Sequence, residues 1–225
     1  MIEIDKRKIG LGYPPYIIAE LSANHNGSLD KAKLTIKKAK ESGANAIKLQ
    51  TYTADSMTIK SNKDDFKIKE GLWNGYSLYE LYEEASTPYE WHKELFNYAK
   101  KIDISIFSTP FDEEAVDILE RLDAPAFKIA SFELVDLPLI KYVASKGKPI
   151  LISTGMGTLE EIEEAVNTCI NAGNSKILLF HCISSYPASS KESNVKVIPY
   201  LRNKFNLEVG LSDHTINNIS SLTAI

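Results

Sequence analysis

Cysteine is scarce in this sequence: Cys169 and Cys182 are the only two in 225 residues. One sits in a helical pattern and the other beside a strand end, so they form no disulfide framework. A reducing cytoplasm is the expected compartment, with both thiols as small buried hydrophobes. Excess basic charge is missing as well. The formal net charge is −4, and a nucleic-acid binder would need a basic face. No apolar run is long enough to cross a bilayer. The opening Met1-Ile2-Glu3-Ile4-Asp5-Lys6 lacks the charged-then-apolar order of a signal peptide. Neither nucleic acid nor membrane is therefore expected as a partner. No linker, low-complexity tract or charge run divides the chain, so a single domain over residues 1–225 is expected.

What the sequence does have is a repeated pattern. Seven short apolar runs each end in residues that do chemistry. Ile17-Ile18-Ala19 leads to Glu20, Ala46-Ile47 to Lys48 and Gln50, and Ile104 to Phe107 reaches Ser108-Thr109. Ala126-Phe127 leads to Lys128, Ser131 and Glu133, and Ile150 to Ile152 leads to Ser153-Thr154. Ile177 to Phe180 ends at His181, and Val209 to Leu211 at Ser212-Asp213-His214. Helical patterns separate most of these runs, and strand–helix alternation predicts an α/β fold with a parallel sheet. Closed on itself, such a sheet is a (β/α)8 TIM barrel, whose active site lies at the carboxyl ends of the strands. A closed barrel needs eight strands, and open sheet edges are avoided. Seven units predict an incomplete barrel, with a natural chain that continues beyond Ile225.

Helix signals fit this layout. Ser28 caps a basic amphipathic helix that stops at Gly43. Thr158 with Glu161 forms a capping box, and Gly147 and Gly173 mark later helix ends. Thr87, with Pro88 at the first helical position and Glu90 at the third, is expected to open the helix through Trp91, Leu95, Phe96 and Ala99. The stretch from Tyr52 to Ser86 is too long for a simple connection and carries Phe66, Leu72, Trp73, Tyr76, Tyr79 and Tyr82. Its length leaves two readings open: a lid or substrate wall, or an extra helix packed outside the barrel.

Lys48 and Gln50 project to one side of their strand. A lysine inside a barrel is costly unless it is paired or faces an anionic ligand. Lys128, set among Ala126, Phe127, Ile129 and Ala130, raises the same question. Two such lysines near strand ends favour an anion site over structural ion pairs. Hydroxyls at Thr109, Ser131, Ser153 and Ser212 would be neutral donors there, with the amides of Gly155 and Gly157 as a nest. Of the histidines, His25, His181 and His214 lie at or past strand ends, and His92, inside a helix, is expected on the solvent side. His214 beside Asp213 is a candidate metal ligand, although spacing alone leaves a structural role equally open. Glu20 and Glu133 are candidate general bases or sugar-orienting groups, and equally candidate partners for the lysines.

The assembled motifs resemble the sialic acid synthase family. They are Ile17 to Ser28, Ile47-Lys48-Leu49-Gln50-Thr51, Phe107-Ser108-Thr109-Pro110-Phe111, Lys128 to Glu133, Ser153-Thr154-Gly155-Met156 and Gly210 to Thr215. The runs Gly71-Leu72-Trp73, Leu78 to Glu83 and Thr87 to His92 look like its pseudaminic acid synthase branch. The resemblance implies a barrel enzyme that condenses phosphoenolpyruvate with an open-chain N-acetylated amino sugar, of the 6-deoxy-2,4-diacetamido-altrose type, and releases phosphate. It further implies a divalent metal, manganese or similar, and a homodimer in the full-length protein. By motif position, Lys48, Lys128, Thr109, Ser131, Ser153 and Ser212 would hold the phosphoenolpyruvate. Glu20 and Gln50 would lie around the substrates, Glu133 would match the catalytic carboxylate, His214 a metal ligand and Tyr186 a sugar-side tyrosine. Ser184 stands where neuraminate synthases tend to carry asparagine, which favours the pseudaminic branch.

Within the family a second histidine ligand follows on an eighth strand in an Arg-His-Phe context, and then a small antifreeze-like domain. Neither lies within these residues, so residues 1–225 alone are expected to bind metal poorly and to be inactive. The rival readings are a neuraminate or legionaminate synthase with the same chemistry, a Schiff-base aldolase using Lys128, and a silent sugar-binding or assembly module.

Overall fold

The computed structural model describes residues 2–71 and 73–225. The chain forms two compact units: Ile17–Ala124, and the N-terminal segment to Tyr16 together with Pro125–Ile225. Each contains parallel strands alternating with helices.

The N-terminal segment opens with a hairpin that the sequence reading did not foresee. Strands β1 (Ile2–Ile4) and β2 (Arg7–Ile9) pair antiparallel, with Ile4 opposite Arg7. Asp5 and Lys6 turn the chain with φ of 46° and 65°, the left-handed pair that a two-residue primed turn requires. Leu11 N–H donates to Glu208 Oε1 at 3.4 Å. A Cβ on Gly10 would lie 2.6 Å from that carboxylate oxygen, so glycine is needed there for close approach.

In Ile17–Ala124 the order is β3 (Ile18–Glu20), α1 (Leu29–Glu41), β4 (Ala46–Thr51), α2 (Ala54–Met57), α3 (Leu78–Ala85), α4 (Tyr89–Lys101), β5 (Ser105–Pro110) and α5 (Glu113–Arg121). β4 lies between β3 and β5, with Glu20 opposite Lys48 and Gln50 opposite Thr109. Ser28 caps α1 by accepting from Lys31 N–H, as expected, and Asp112 caps α5. Thr87 does not cap α4: the helix starts at Tyr89, has no side-chain cap bond, and leaves Thr87 Oγ1 buried without a hydrogen bond. Instead Ser77 and Glu80 form a capping box on α3. The described part of the long excursion thus carries helices of its own. α2 and α3 pack together, and Tyr82 of α3 meets Tyr52, just past β4, edge to face at 6.0 Å. Leu72, within the excursion, lies outside the described residues.

In the second unit the order is β6 (Phe127–Ile129), a 3-10 turn (Phe132–Val135), α6 (Leu137–Ser145), β7 (Ile150–Ser153), α7 (Leu159–Asn171), β8 (Ile177–Cys182), α8 (Val197–Phe205), β9 (Glu208–Ser212) and α9 (Ile219–Thr223). Its four strands run parallel in sequence order, with Lys128 opposite Leu151, Ser153 opposite Phe180 and Cys182 opposite Ser212. Every residue of β6 and β7 is buried, which is why these strands read as continuous apolar runs. Burial of each Ile, Leu or Phe stabilises the fold by about 1.5–3 kcal/mol. α7 carries the expected Thr158–Glu161 capping box. Gly147 and Gly173, with φ of 67° and 86°, follow the ends of α6 and α7. No described helix is long and apolar enough to cross a membrane.

Candidate active site

In both units the chemistry-bearing side chains gather at the carboxyl ends of the strands. In Ile17–Ala124, Lys48 ion-pairs with Glu20 from β3 and donates to Thr109 Oγ1 on β5 at 3.3 Å. The Lys48 side chain is 14% exposed and that of Glu20 42%. Gln50 Oε1 accepts from Ser22 Oγ at 3.2 Å. Three neighbouring strands therefore deliver an ammonium, a carboxylate, an amide and two hydroxyls to one place. Glu20 is, among other things, the lysine's partner.

A second cluster occupies the other unit. Lys128, 5% exposed, donates to Ser153 Oγ on β7 at 2.5 Å and to the Ile129 carbonyl at 2.8 Å. Its ammonium lies 5.7 Å from the centre of the Phe180 ring. Glu133, on the turn after β6, has Oε2 buried without a hydrogen bond. Burial pushes its carboxyl above the ordinary range, while the charge of Lys128 pulls the other way. A desolvated carboxyl within the field of an ammonium suits proton transfer and, when ionised, stabilisation of a developing cation. The loop after β7 closes against this cluster, with Gly155 between the hydroxyls of Ser131 and Ser184. The expected nest is only partly available, because Gly157 N–H closes a turn on the Thr154 carbonyl at 3.3 Å.

His214, just past β9, is held on both sides. Its Nδ1 lies 2.8 Å from the Ile183 carbonyl, and its Nε2 lies 3.1 Å from Tyr186 Oη. The two rings stack at 4.1 Å. The carbonyl can only accept, which places the proton on Nδ1 and leaves Nε2 as the lone-pair nitrogen. That is how a metal-binding histidine is oriented from behind. Among the described residues, however, no group of three or more His, Cys, Asp or Glu could hold a metal ion. The side chains fit one ligand of a divalent metal, not a set, so no step below passes through a metal. Asp213 is occupied locally: burial raises its carboxyl, but hydrogen bonds from Ser221 and Thr215 outweigh this and leave it below the usual range.

Two other groups behave differently from the sequence expectation. Cys182 is buried, but its thiol is not inert. Burial raises it, and contacts with His214, Ser131 and Ser212 outweigh burial and bring it to about 7. His92 is not on the solvent side: it is 0% exposed, in the core face of α4. His25 and His181 are buried too, and His181 Nε2 donates to the Ser193 carbonyl at 2.7 Å. Cys182, Ser22 and Phe180 join the candidate residues through tertiary contact, which their sequence neighbours do not reveal.

Seven parallel strand–helix units with their polar groups at the carboxyl ends define an α/β fold of the TIM-barrel class. The solved structure of an N-acetylneuraminic acid synthetase from Leptospira borgpetersenii matches it with a TM-score of 0.84 and 29% identity, over 97% of this chain and 74% of that one. The NeuB family model matches residues 35–225, and the chain belongs to the NeuB family. It is 47% identical to the pseudaminic acid synthase of Helicobacter pylori over 94% of this chain, and 48% identical to that of Campylobacter jejuni over 93%. The chain spans 62% and 61% of the length of those two relatives.

Proposed function

We propose that residues 1–225 form the barrel catalytic domain of a pseudaminic acid synthase. The reaction joins phosphoenolpyruvate, an open-chain 6-deoxy-2,4-diacetamido-altrose-type sugar and water to give pseudaminic acid and phosphate. One observation carries this reading: a buried ammonium, Lys128, is bonded to Ser153 across adjacent strand ends, with the raised carboxyl of Glu133 nearby. Lysine charge with hydroxyl donors suits a phosphorylated carboxylate.

In this reading Lys48, Lys128, Thr109, Ser131, Ser153 and Ser212 bind phosphoenolpyruvate. Gln50, Glu20, Ser184 and Tyr186 orient the sugar. The methylene carbon of phosphoenolpyruvate attacks the aldehyde carbon, whose oxygen takes up a proton to become a hydroxyl. Glu133 stabilises the positive charge developing on the former enol carbon. Water adds to that carbon, the carbon–oxygen bond to phosphate breaks, and the 2-keto group forms as phosphate leaves. A divalent metal, manganese or similar, is the proposed cofactor with His214 as one ligand; its chemistry would be Lewis-acid polarisation of the aldehyde oxygen.

The test is phosphate release by the complete gene product, offered in turn the diacetamido-altrose, legionaminate-precursor and N-acetylmannosamine sugars. Preference for the first supports the proposal, and preference for either other sugar reassigns the enzyme within the family. Release with none of them would favour a silent sugar-binding module. Borohydride with a keto substrate should leave no adduct on Lys128, whereas an adduct would indicate a Schiff-base aldolase.

A further inference from the structure

Behind the strand ends of Ile17–Ala124 runs a buried polar chain that the proposed chemistry does not use. His92 of α4, Thr51 at the end of β4 and Ser108 within β5 are each 0% exposed. Thr51 Oγ1 lies 2.8 Å from His92 Nε2 and 2.6 Å from Ser108 Oγ, while His92 Nδ1 lies 3.1 Å from the Pro88 carbonyl. That carbonyl only accepts, so Nδ1 carries the proton and Nε2 accepts from the Thr51 hydroxyl. The Thr51 oxygen in turn accepts from Ser108. Every donor runs in one direction: Ser108 to Thr51, Thr51 to His92, His92 to Pro88.

Side chains alternate along a strand, so Thr51 and Ser108 face the helix layer, while Lys48, Gln50 and Thr109 face away from it. The peptide units that carry the lysine and its threonine on one face therefore carry this chain on the other. We infer that His92 is a positioning residue for the Lys48–Thr109 pair: from the helix layer it ties the carboxyl ends of β4 and β5 together, fixing how the ammonium meets its ligand. The inference rests on the proposed role of Lys48 and Thr109 in holding the phosphorylated substrate. It adds a residue that touches no substrate.

Three variants of the complete gene product test it. His92→Phe keeps the ring and removes both nitrogens, Thr51→Val removes the bridging hydroxyl, and His92→Gln keeps an acceptor within reach of Thr51. His92→Phe and Thr51→Val should raise the KM for phosphoenolpyruvate about tenfold, the scale set by small misplacements of binding groups. The sugar KM should stay within about twofold, and His92→Gln should restore most of the phosphoenolpyruvate KM. If His92→Phe fails to unfold cooperatively, Thr51→Val alone decides. A folded Thr51→Val with unchanged phosphoenolpyruvate KM, or a loss spread equally over both substrates, overturns the inference. Lys48→Met is the control on its premise: an unchanged KM there would sink the reading of the site itself, and this inference with it.

Discussion

Replacing Gly155 by alanine tests the second cluster through packing alone. A Cβ at this position would lie 2.5 Å from Ser184 Oγ, 2.8 Å from Ser131 Oγ and 3.1 Å from the Cys182 carbonyl oxygen. Gly155 is not among the residues with positive φ, so alanine meets no backbone strain and the whole cost is one of space. Overpacking of this kind costs about 1–3 kcal/mol. Replacing glycine also recovers about 0.4–1 kcal/mol by restricting the unfolded chain. The net loss is then about 0–2.6 kcal/mol, or up to about 10 °C in Tm for a chain of this length. Urea unfolding should be measured for Gly155→Ala in the parent and in a Ser131→Ala/Ser184→Ala background. Removing the hydroxyls empties both close contacts, so the two changes should couple by about 1 kcal/mol or more. If Gly155→Ala costs the same in both backgrounds, room for those hydroxyls is not what the glycine provides, and the reasoning fails.

Lys128→Met keeps the bulk of a buried side chain and removes its charge. It should abolish protection by phosphoenolpyruvate in thermal unfolding while leaving the unliganded Tm within a few degrees, because a buried charge adds little net stability; a collapse of the fold would make Lys128 structural. Burial raises the Glu133 carboxyl above 4.5, so its stabilising contribution is present below that pH and lost as pH rises through the raised value. Glu133→Gln should therefore match the parent near pH 4 and exceed it in stability at pH 7–8, by about 1.4 kcal/mol for each unit of the shift. Equal stability at both pH values would mean that the carboxyl is not desolvated. His214→Ala should remove whatever manganese binding calorimetry detects in the complete gene product, and full retention would take His214 out of the metal site.

The strands were legible because each contains a short apolar run, unbroken where the strand is buried on both faces as in β6 and β7, and each of the seven runs overlaps an observed strand. The β1–β2 hairpin was not, since its turn is Asp5-Lys6 rather than a glycine pair and its strands are three residues long. The signal for His92 was present but unread. It lies three, four and seven residues before Leu95, Phe96 and Ala99, on the same buried stripe of α4, so the helical period itself placed it inside. Thr87 shows the opposite failure: a local capping pattern was overridden when tertiary packing buried the threonine. Of the candidate site, the lysines and Glu133 could be found because their cost in an apolar run demands an explanation. Cys182 could not, since its altered thiol arises from His214, thirty-two residues away.

One geometric device recurs in the two clusters. Lys48 stands opposite Phe107 in the strand register but bonds to Thr109, two residues further along β5. Lys128 stands opposite Leu151 and bonds to Ser153, again two residues further along β7. In a parallel sheet, positions two apart share a face and are separated by about 6.6 Å, which the four-carbon lysine stem spans. Each lysine is thus rooted in the core part of its strand and carries its charge forward to the strand end, where the neighbouring hydroxyl satisfies it. A shorter cation at position 128 would remain among apolar residues, and a lysine two residues later there would be rooted past the end of β6. The root position, the residue type and the hydroxyl on the next strand are therefore one requirement met twice, once in each unit.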